Sequence, residues 1–315
     1  MVIKTFGLIQ ALLILFTYAD STCAQEPKIG MLIEKEHTAT YLETLEGFRT
    51  KLAGSGKRYK FVEKNAKNDR KTMAVIAKGF ATDATIQAVV VLGSAAATLA
   101  NRHIKNKPVI FGGINHPEGL RISGDNITGA TYYIAPSTVV SLIRKLKPDV
   151  RKVGVLYEPA AQNAASVVEV PETEIALKER GIGFVKEKVE KKKDIVNKTK
   201  RIIKAGAEYL IIPTNQLLYA NVSLIRSVSD AAGVPVVSFS RKGVANGGLI
   251  AITSNNWVLG GKMAQMLVDI IEGGKSPQEI KWCFSDKFSI VVNETTRAEL
   301  GVRIPKKIYG IAEIL

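Results

Sequence analysis

The chain has 315 residues, and at about 100–200 residues per domain this length predicts two domains. Its composition is 46% hydrophobic and 23% charged, with a net charge of +15, which excludes a disordered, collagen-like or disulfide-built chain. The basic residues are spread along the sequence, without zinc-finger spacing, a helix-turn-helix or an RNP-type aromatic motif. Nucleic acid is therefore not expected as a partner, and the positive charge would instead favour an anionic ligand.

The first 24 residues predict a secretory signal peptide. Lys4 precedes the apolar run Phe6–Phe16, and Thr22-Cys23-Ala24 follows with small residues. Such a run is too short to span a bilayer. Cleavage near Ala24 would leave the protein in the periplasm or outside the cell. Lipid attachment at Cys23 is the less favoured alternative, because Asp20 stands where an apolar residue is expected. The mature chain would then keep only Cys283, so no internal disulfide is expected.

After the signal, short apolar runs alternate with amphipathic segments. Strands are predicted at 29–33, 59–62, 88–92 and 109–111, and helices at about 40–52, 70–81 and 95–102. Unbroken runs of Val and Ile are typical of parallel strands that helices cover on both faces. The alternation therefore predicts an α/β fold with a doubly wound parallel sheet.

The same pattern then occurs a second time, with three matches in the same order and at nearly constant offsets. The matching pairs are Lys28–Glu34 with Lys152–Glu158, Ala88–Ser94 with Tyr209–Asn215, and Pro108–Phe111 with Pro235–Ser238. An internal repeat of this kind predicts two similar α/β lobes.

The last sixty residues do not begin a third lobe. They predict a strand at 249–253, a helix at 257–272, a strand at 288–292 and a helix at 294–300. One strand–helix unit followed by another strand suggests that the chain returns to the first lobe and crosses back. We therefore assign residues 25–131 and 253–287 to the first lobe, and residues 132–252 and 288–315 to the second. Several crossing segments would form a multi-strand hinge.

A ligand is expected beyond the carboxyl ends of the strands, as in other open parallel sheets. In the first half these ends are residues 36–38, 93–95 and 115–117, and in the second half 158–163, 214–216 and 238–241. Ser94 is predicted to cap the helix that follows it, and the free N–H groups of that helix could hold a carboxylate. A purely structural cap at Ser94 remains the alternative.

Nothing in the sequence points to catalysis. Ser94 lacks a G-x-S-x-G elbow, and neither a G-x-G-x-x-G nor a phosphate-binding loop is present. The three histidines, His37, His103 and His116, lack the spacing of metal ligands. Three carboxylates near strand ends could pair for acid–base chemistry only if the fold brings them together: Glu34, Glu36 and Glu158. We therefore expect no metal, no cofactor and no enzyme activity, with an exported hydrolase as a less favoured alternative.

The residues from about 27 to 305 resemble the ABC-transporter substrate-binding proteins of the periplasmic type I fold. The likeness is greatest to the branch that takes up tryptophan, tyrosine or phenylalanine. The matching stretches are KIGMLIEKEH, VVVLGSAAATLA, KPVIFGGINHPEGL, GDNITGATYYI, RKVGVLYEPAAQNA, YLIIPTNQLLYA and VNETTRAELGV.

This resemblance implies a monomer that holds a small molecule between two closing lobes and then docks on an ABC permease in the inner membrane. It implies that Ser94 and the amides after it take a carboxylate, and that Asn163 and Asn215 form hydrogen bonds from the second lobe. The implied contact positions are His37, Ser94, Ala95, Asn115, His116, Asn163 and Asn215. A binding protein of the same fold that serves a sensor kinase or chemoreceptor is the alternative.

Three positions depart from the pattern of that branch. Where it usually has acids, this chain has Ala161, His116 and Asn215. A buried ammonium group without a carboxylate partner costs several kcal/mol. The sequence therefore favours a neutral or anionic ligand over a free amino acid, although an aromatic, amino-acid-like compound remains possible.

Overall fold

The computed structural model describes residues 26–35, 39–159, 165–285 and 288–315. The predicted signal peptide, residues 1–24, lies outside the described residues. None of the helices in the described part of the chain combines the length and the apolar character that a membrane span requires.

The first part of the chain alternates strands and helices as the sequence predicts. Its elements are β1 (Lys28–Ile33), α1 (Ala39–Ala53), β2 (Lys60–Asn65), α2 (Arg70–Thr82), β3 (Ile86–Leu92), α3 (Ser94–His103), β4 (Val109–Ile114) and β5 (Ile127–Thr131). Local chemistry sets several of these boundaries. At the start of α2, for example, Asp69 Oδ1 accepts the Thr72 N–H at 2.7 Å, which satisfies one free donor of the first turn.

The second part repeats the alternation. Its elements are α4 (Pro136–Leu146), β6 (Lys152–Tyr157), a π-helical turn (Ala165–Glu169), α5 (Val170–Lys178), β7 (Gly183–Lys188), α6 (Ile195–Lys204), β8 (Tyr209–Ile212), α7 (Gln216–Tyr219), α8 (Val222–Ser229), β9 (Val236–Ser238), α9 (Arg241–Ala245) and β10 (Ile250–Ser254). The remaining elements are α10 (Asn256–Ile271), β11 (Cys283–Phe284), β12 (Phe288–Val292), α11 (Glu294–Glu299), α12 (Lys306–Tyr309) and β13 (Ala312–Ile314).

The strands form two sheets with the same internal order. The first is β2-β1-β3-β4-β5-β11 and the second is β7-β6-β8-β9-β10-β12-β13. The pairs are parallel except for the antiparallel pair β10–β12. The matching sequence segments occupy equivalent places, since β1, β3 and β4 correspond to β6, β8 and β9. The predicted fold class, two similar α/β lobes built on parallel sheets, is confirmed.

Within the described part of the chain, consecutive elements belong to different lobes at three points. Residues 132–135 follow β5, Asn255 alone separates β10 from α10, and β11 ends at Phe284 in the first sheet whereas β12 begins at Phe288 in the second. All of β10 lies in the second sheet, two residues beyond the predicted boundary at 252. Asn255 also caps α10, because its Oδ1 accepts the Val258 N–H at 3.0 Å.

The returning helix α10 is held against α1 by unusually close backbone contact. A Cβ added to Gly47 would lie 1.9 Å from the Trp257 carbonyl oxygen, and a Cβ added to Gly260 would lie 1.9 Å from that of Thr44. Neither position can accept a side chain without moving backbone. These two glycines therefore fix α10 to the first lobe directly after the crossing at Asn255.

Candidate functional site

The carboxyl ends of strands from both sheets meet at one place. Asn115 follows β4 in the first lobe, and Glu169 ends the π-helical turn of the second lobe. Asn115 Nδ2 donates to Glu169 Oε1 at 2.7 Å, and both side chains are buried. This hydrogen bond joins the two lobes across the cleft between their sheets.

Glu169 is the most enclosed carboxylate of the cleft. Its side chain is 1% exposed, and it also accepts the Thr214 N–H on Oε2 at 2.7 Å and the Thr214 hydroxyl on Oε1 at 2.8 Å. Burial raises the pKa of Glu169 above its ordinary value, while the three hydrogen-bond donors oppose this rise. Glu169 is absent from the residues predicted from sequence, although an acid inside the apolar run Val167–Val170 was a usable signal.

A second carboxylate, Glu34, lies at the end of β1 and covers the N-terminus of α3. Its Oε2 accepts the Ala95 N–H at 2.7 Å and the Ala96 N–H at 3.3 Å. The N-cap position of α3 is Gly93, with φ at 110°, and Ser94 is the first helical residue. The prediction that Ser94 caps this helix is therefore wrong.

The charge of Glu34 has a consequence for any ligand at this helix. Two like unit charges 4 Å apart near a protein surface repel each other by about 4 kcal/mol. A ligand carboxylate at the α3 N-terminus would have to displace Glu34 or bear a repulsion of this order.

Three tyrosine side chains, Tyr41, Tyr132 and Tyr219, lie near one or both of these carboxylates. Burial raises the pKa of Tyr41, with Glu34 as the second cause. Burial also raises the pKa of Tyr132, and both Glu169 and Glu34 add to that rise. Tyr132 belongs to the first crossing segment, and its phenol is near enough to the carboxylates of both lobes for each to affect its pKa. Tyr219 is 3% exposed, and burial followed by Glu169 raises its pKa as well.

Two of the predicted contact residues are engaged within their own lobes. Asn215 caps α7 by accepting the Leu218 N–H on Oδ1 at 2.9 Å, and its Nδ2 donates to Glu158 Oε2 at 2.6 Å. The Nδ1 atom of His116 accepts the Gly119 N–H at 3.0 Å.

The ring of His116 stands edge-on to that of Tyr133, with their centroids 5.0 Å apart. Tyr133 in turn donates its hydroxyl to Glu172, and burial followed by this bond raises the pKa of Tyr133. A chain of side-chain contacts therefore runs from His116, at the end of β4, to α5 of the second lobe.

The structure brings Ser94, Ala95, Asn115 and Asn215 to the strand ends that the sequence indicated, and it places His116 directly after Asn115. Two further predicted positions, His37 and Asn163, lie outside the described residues. The residues that the structure does describe contain no group of three or more His, Cys, Asp or Glu side chains able to hold a metal ion. The cleft is therefore a constellation of hydrogen-bonding groups, carboxylates and tyrosine rings.

Comparison with known proteins identifies the family. Residues 28–314 match the family described as ABC transporter substrate binding protein. The chain belongs to this family. The resemblance found in the sequence is therefore confirmed over nearly all of the described chain.

Individual relatives of this ABC transporter substrate-binding protein are distant in sequence. It is 23% identical over 245 residues to the tyrosine-binding protein of Clostridioides difficile strain R20291, covering 76% of this chain and 70% of the relative. It is also 20% identical over 271 residues to the uncharacterized protein RP367 of Rickettsia prowazekii, covering 86% of this chain and 84% of the relative.

Solved structures show the same fold at similarly low identity. A ligand-free, open substrate-binding protein with adhesive properties from Clostridium difficile superposes with a TM-score of 0.82 at 21% identity, covering 92% of this chain and 99% of that one. An ABC domain from Streptococcus pneumonia in complex with L-Trp gives a TM-score of 0.73 at 22% identity, covering 92% of this chain and 100% of that one. At this distance the likeness shows the fold.

Proposed function

We propose that this protein is the exported binding component of an ABC importer. It captures a small molecule between its lobes, closes on it by bending at the hinge, and delivers it as a monomer to a membrane permease. The observation that carries this proposal is the meeting of strand ends from both lobes, joined by the bond from Asn115 to Glu169. Membership of the substrate-binding family supports it.

The chemistry of the cleft favours binding over catalysis. Glu34 is occupied by the backbone amides of α3, and Glu169 is occupied by Asn115 and Thr214. Neither arrangement presents a nucleophile beside a general base, as covalent catalysis requires. We propose that the protein acts outside the cytoplasm after removal of a signal peptide near Ala24, without lipid attachment at Cys23.

The carboxylates near the strand ends bear on the class of ligand. The preference for a neutral or anionic compound rested on the absence of acids at three positions. Three acids at other positions support a different preference: Glu34 bonds the α3 amides, Glu169 bonds Asn115 of the other lobe, and Glu158 bonds Asn215. Relatives named for tyrosine binding or solved with L-Trp support a small molecule with an aromatic ring as the starting point.

A thermal-shift screen of the purified protein tests this function. The panel contains aromatic and aliphatic amino acids, their deaminated acids, the corresponding amines, sugars and purines. A ligand at 100 times its dissociation constant adds about 2.7 kcal/mol to the free energy of unfolding. At about 2–4 °C per kcal/mol, the midpoint should rise by several degrees.

Two further measurements complete the test. Small-angle scattering should show compaction with the ligand that shifts the midpoint, and deletion of the gene should reduce cellular uptake of that compound. Chemical turnover of the bound compound, or uptake unaffected by the deletion, would contradict the proposed function.

A further inference from the structure

The N-terminus of α3 is the strongest anion-binding feature of the cleft, and the protein fills it with its own side chain. Glu34 Oε2 takes the Ala95 and Ala96 amides, and Gly93 makes room for it. A Cβ at position 93 would lie 2.5 Å from both Cβ and Oε2 of Glu34. The position of the Glu34 carboxylate on α3 therefore depends on a glycine at residue 93, whose positive φ of 110° other residues rarely adopt.

Glu34 and Glu169 are held by neutral donors. In the described part of the chain, no ion pair joins either carboxylate to a lysine or arginine, although the net charge of the whole chain is +15. Their partners are amide N–H groups, one asparagine and one threonine hydroxyl. The negative charge of the cleft is thus not cancelled by a cation from these described residues.

Independent evidence for a missing partner comes from Tyr219. Its ring is buried, and its hydroxyl lies beside Thr214 and Ser238 without a hydrogen bond of normal geometry to either. The same hydroxyl is close enough to Glu169 for that carboxylate to affect it. A buried polar group without a partner is unfavourable, so the Tyr219 hydroxyl is available to a ligand atom next to Glu169.

We propose that the ligand is an organic cation without a carboxylate, such as an amine or quaternary ammonium compound with an aromatic or apolar body. Glu34 and Glu169 balance the positive group, because a buried ammonium needs a carboxylate partner. Tyr41 lies near Glu34 and Tyr132 near both carboxylates, and an aromatic face suits a cation or a ring. Glu34 excludes a ligand carboxylate from α3. This inference rests on the proposed binding function and specifies its substrate class.

Isothermal titration calorimetry with three compounds of one aromatic body tests the substrate class. The probes are tyramine, which is cationic, L-tyrosine, which is zwitterionic, and hydroxyphenylpropionate, which is anionic. Tryptamine and choline extend the cation series. We expect at least one cation to bind, and tyramine to bind roughly tenfold or more tightly than L-tyrosine. Stronger binding of L-tyrosine or of the anion, or no binding of any cation at millimolar concentration, overturns the inference.

Glu34→Gln tests the stated cause. Glutamine keeps an oxygen that can accept the α3 amides but removes the charge, so affinity for the cation should fall by roughly tenfold and affinity for hydroxyphenylpropionate should rise. Loss of structure alone would lower both affinities. Glu46→Gln removes one exposed charge from α1 of the same lobe and should change neither affinity. Unchanged cation binding by Glu34→Gln would refute the role of Glu34.

Tyr219→Phe tests the unpartnered hydroxyl with the ring retained. It should weaken cation binding several-fold, while Tyr309→Phe, which removes an exposed hydroxyl bonded to Glu294, should not. Equal effects of the two variants would contradict the role of Tyr219. These outcomes are separable from failure of the proposed function: tight binding of L-tyrosine refutes the cation class and leaves importer function intact, whereas unaffected uptake after gene deletion refutes the function.

Discussion

Glu169→Gln is the most informative test of the cleft, because Glu169 uses two acceptor oxygens for three donors. Glutamine offers one acceptor oxygen and one NH₂ group. Whichever way the amide turns, its NH₂ group faces at least one N–H or O–H donor of Asn115 or Thr214. The substitution keeps the size of the side chain, so its effect reports on hydrogen bonding and charge.

The number of hydrogen bonds that Glu169 accepts sets the expected loss of stability in Glu169→Gln. Hydrogen bonds to a charged group contribute about 1.5–3 kcal/mol each, and an unsatisfied buried donor costs about 1–3 kcal/mol. Relief of the desolvation cost of the Glu169 carboxylate offsets part of this loss. We expect a net destabilisation of about 2 kcal/mol, which corresponds to a fall in Tm of about 4–8 °C.

Urea denaturation and calorimetry at neutral pH measure this difference. The matched control is Glu174→Gln on the adjoining helix α5, which removes an exposed ion pair with Lys186 at 2.9 Å. An exposed pair contributes about 0–1 kcal/mol, so the control should stay close to the wild type. If Glu169→Gln is no less stable than Glu174→Gln, the hydrogen bonds of Glu169 do not hold the cleft together.

Three more predictions follow from the structure. The folded chain raises the pKa of Glu169 above its ordinary value of 4.5, so protonation of Glu169 adds a component of stability that is fully present below about pH 4.5 and is lost as pH rises through the folded pKa. This component is separate from the hydrogen bonds that Glu169 keeps at neutral pH, and a plot of urea midpoint against pH should lack it in Glu169→Gln. Gly260→Ala should lower the free energy of unfolding by about 3 kcal/mol, because the added methyl group overlaps backbone atoms of α1. Gly79→Ala, in open space on α2, should instead raise it by up to about 1 kcal/mol. Equal denaturation midpoints for the two variants would contradict this prediction. Asn115→Ala should cost about 1.5–3 kcal/mol, and a double-mutant cycle with Glu169→Gln should show coupling of at least about 0.5 kcal/mol, whereas additive effects would argue against their bond.

Much of the fold could be predicted from local sequence. The strands β1, β3 and β4 are apolar runs flanked by amphipathic segments, and the structure confirms them. The strands β5 and β11 were not predicted, because β5 (ITGAT) carries a glycine and β11 (CF) has two residues. Such segments are strands only because a neighbouring strand offers hydrogen bonds, which a local pattern cannot show.

The site could be predicted in outline and not in detail. Asn115 was found because it follows a predicted strand, and strand ends of parallel sheets gather at one edge. Its partner Glu169 lies at the end of a π-helical turn, away from any predicted strand end, so the strand-end criterion did not select it and only its place as an acid within an apolar run marked it. The hydrogen bonds from the α3 amides to Glu34 depend on the orientation of its side chain and on the conformation of Gly93. Neither follows from the spacing of residues along the sequence.

The single residue between β10 and α10 constrains how the two lobes can move. Ser254 is fixed in the second sheet, and Asn256 begins a helix that Gly260 fastens to the first lobe. Adjacent Cα atoms are 3.8 Å apart, so the lobes cannot separate at this point by more than a few ångströms. The closure proposed for ligand binding would therefore be a rotation about a pivot near Asn255. A glycine inserted beside Asn255 would lengthen the connection between β10 and α10. The two lobes could then translate relative to each other at this point, whereas the natural chain restricts them to rotation.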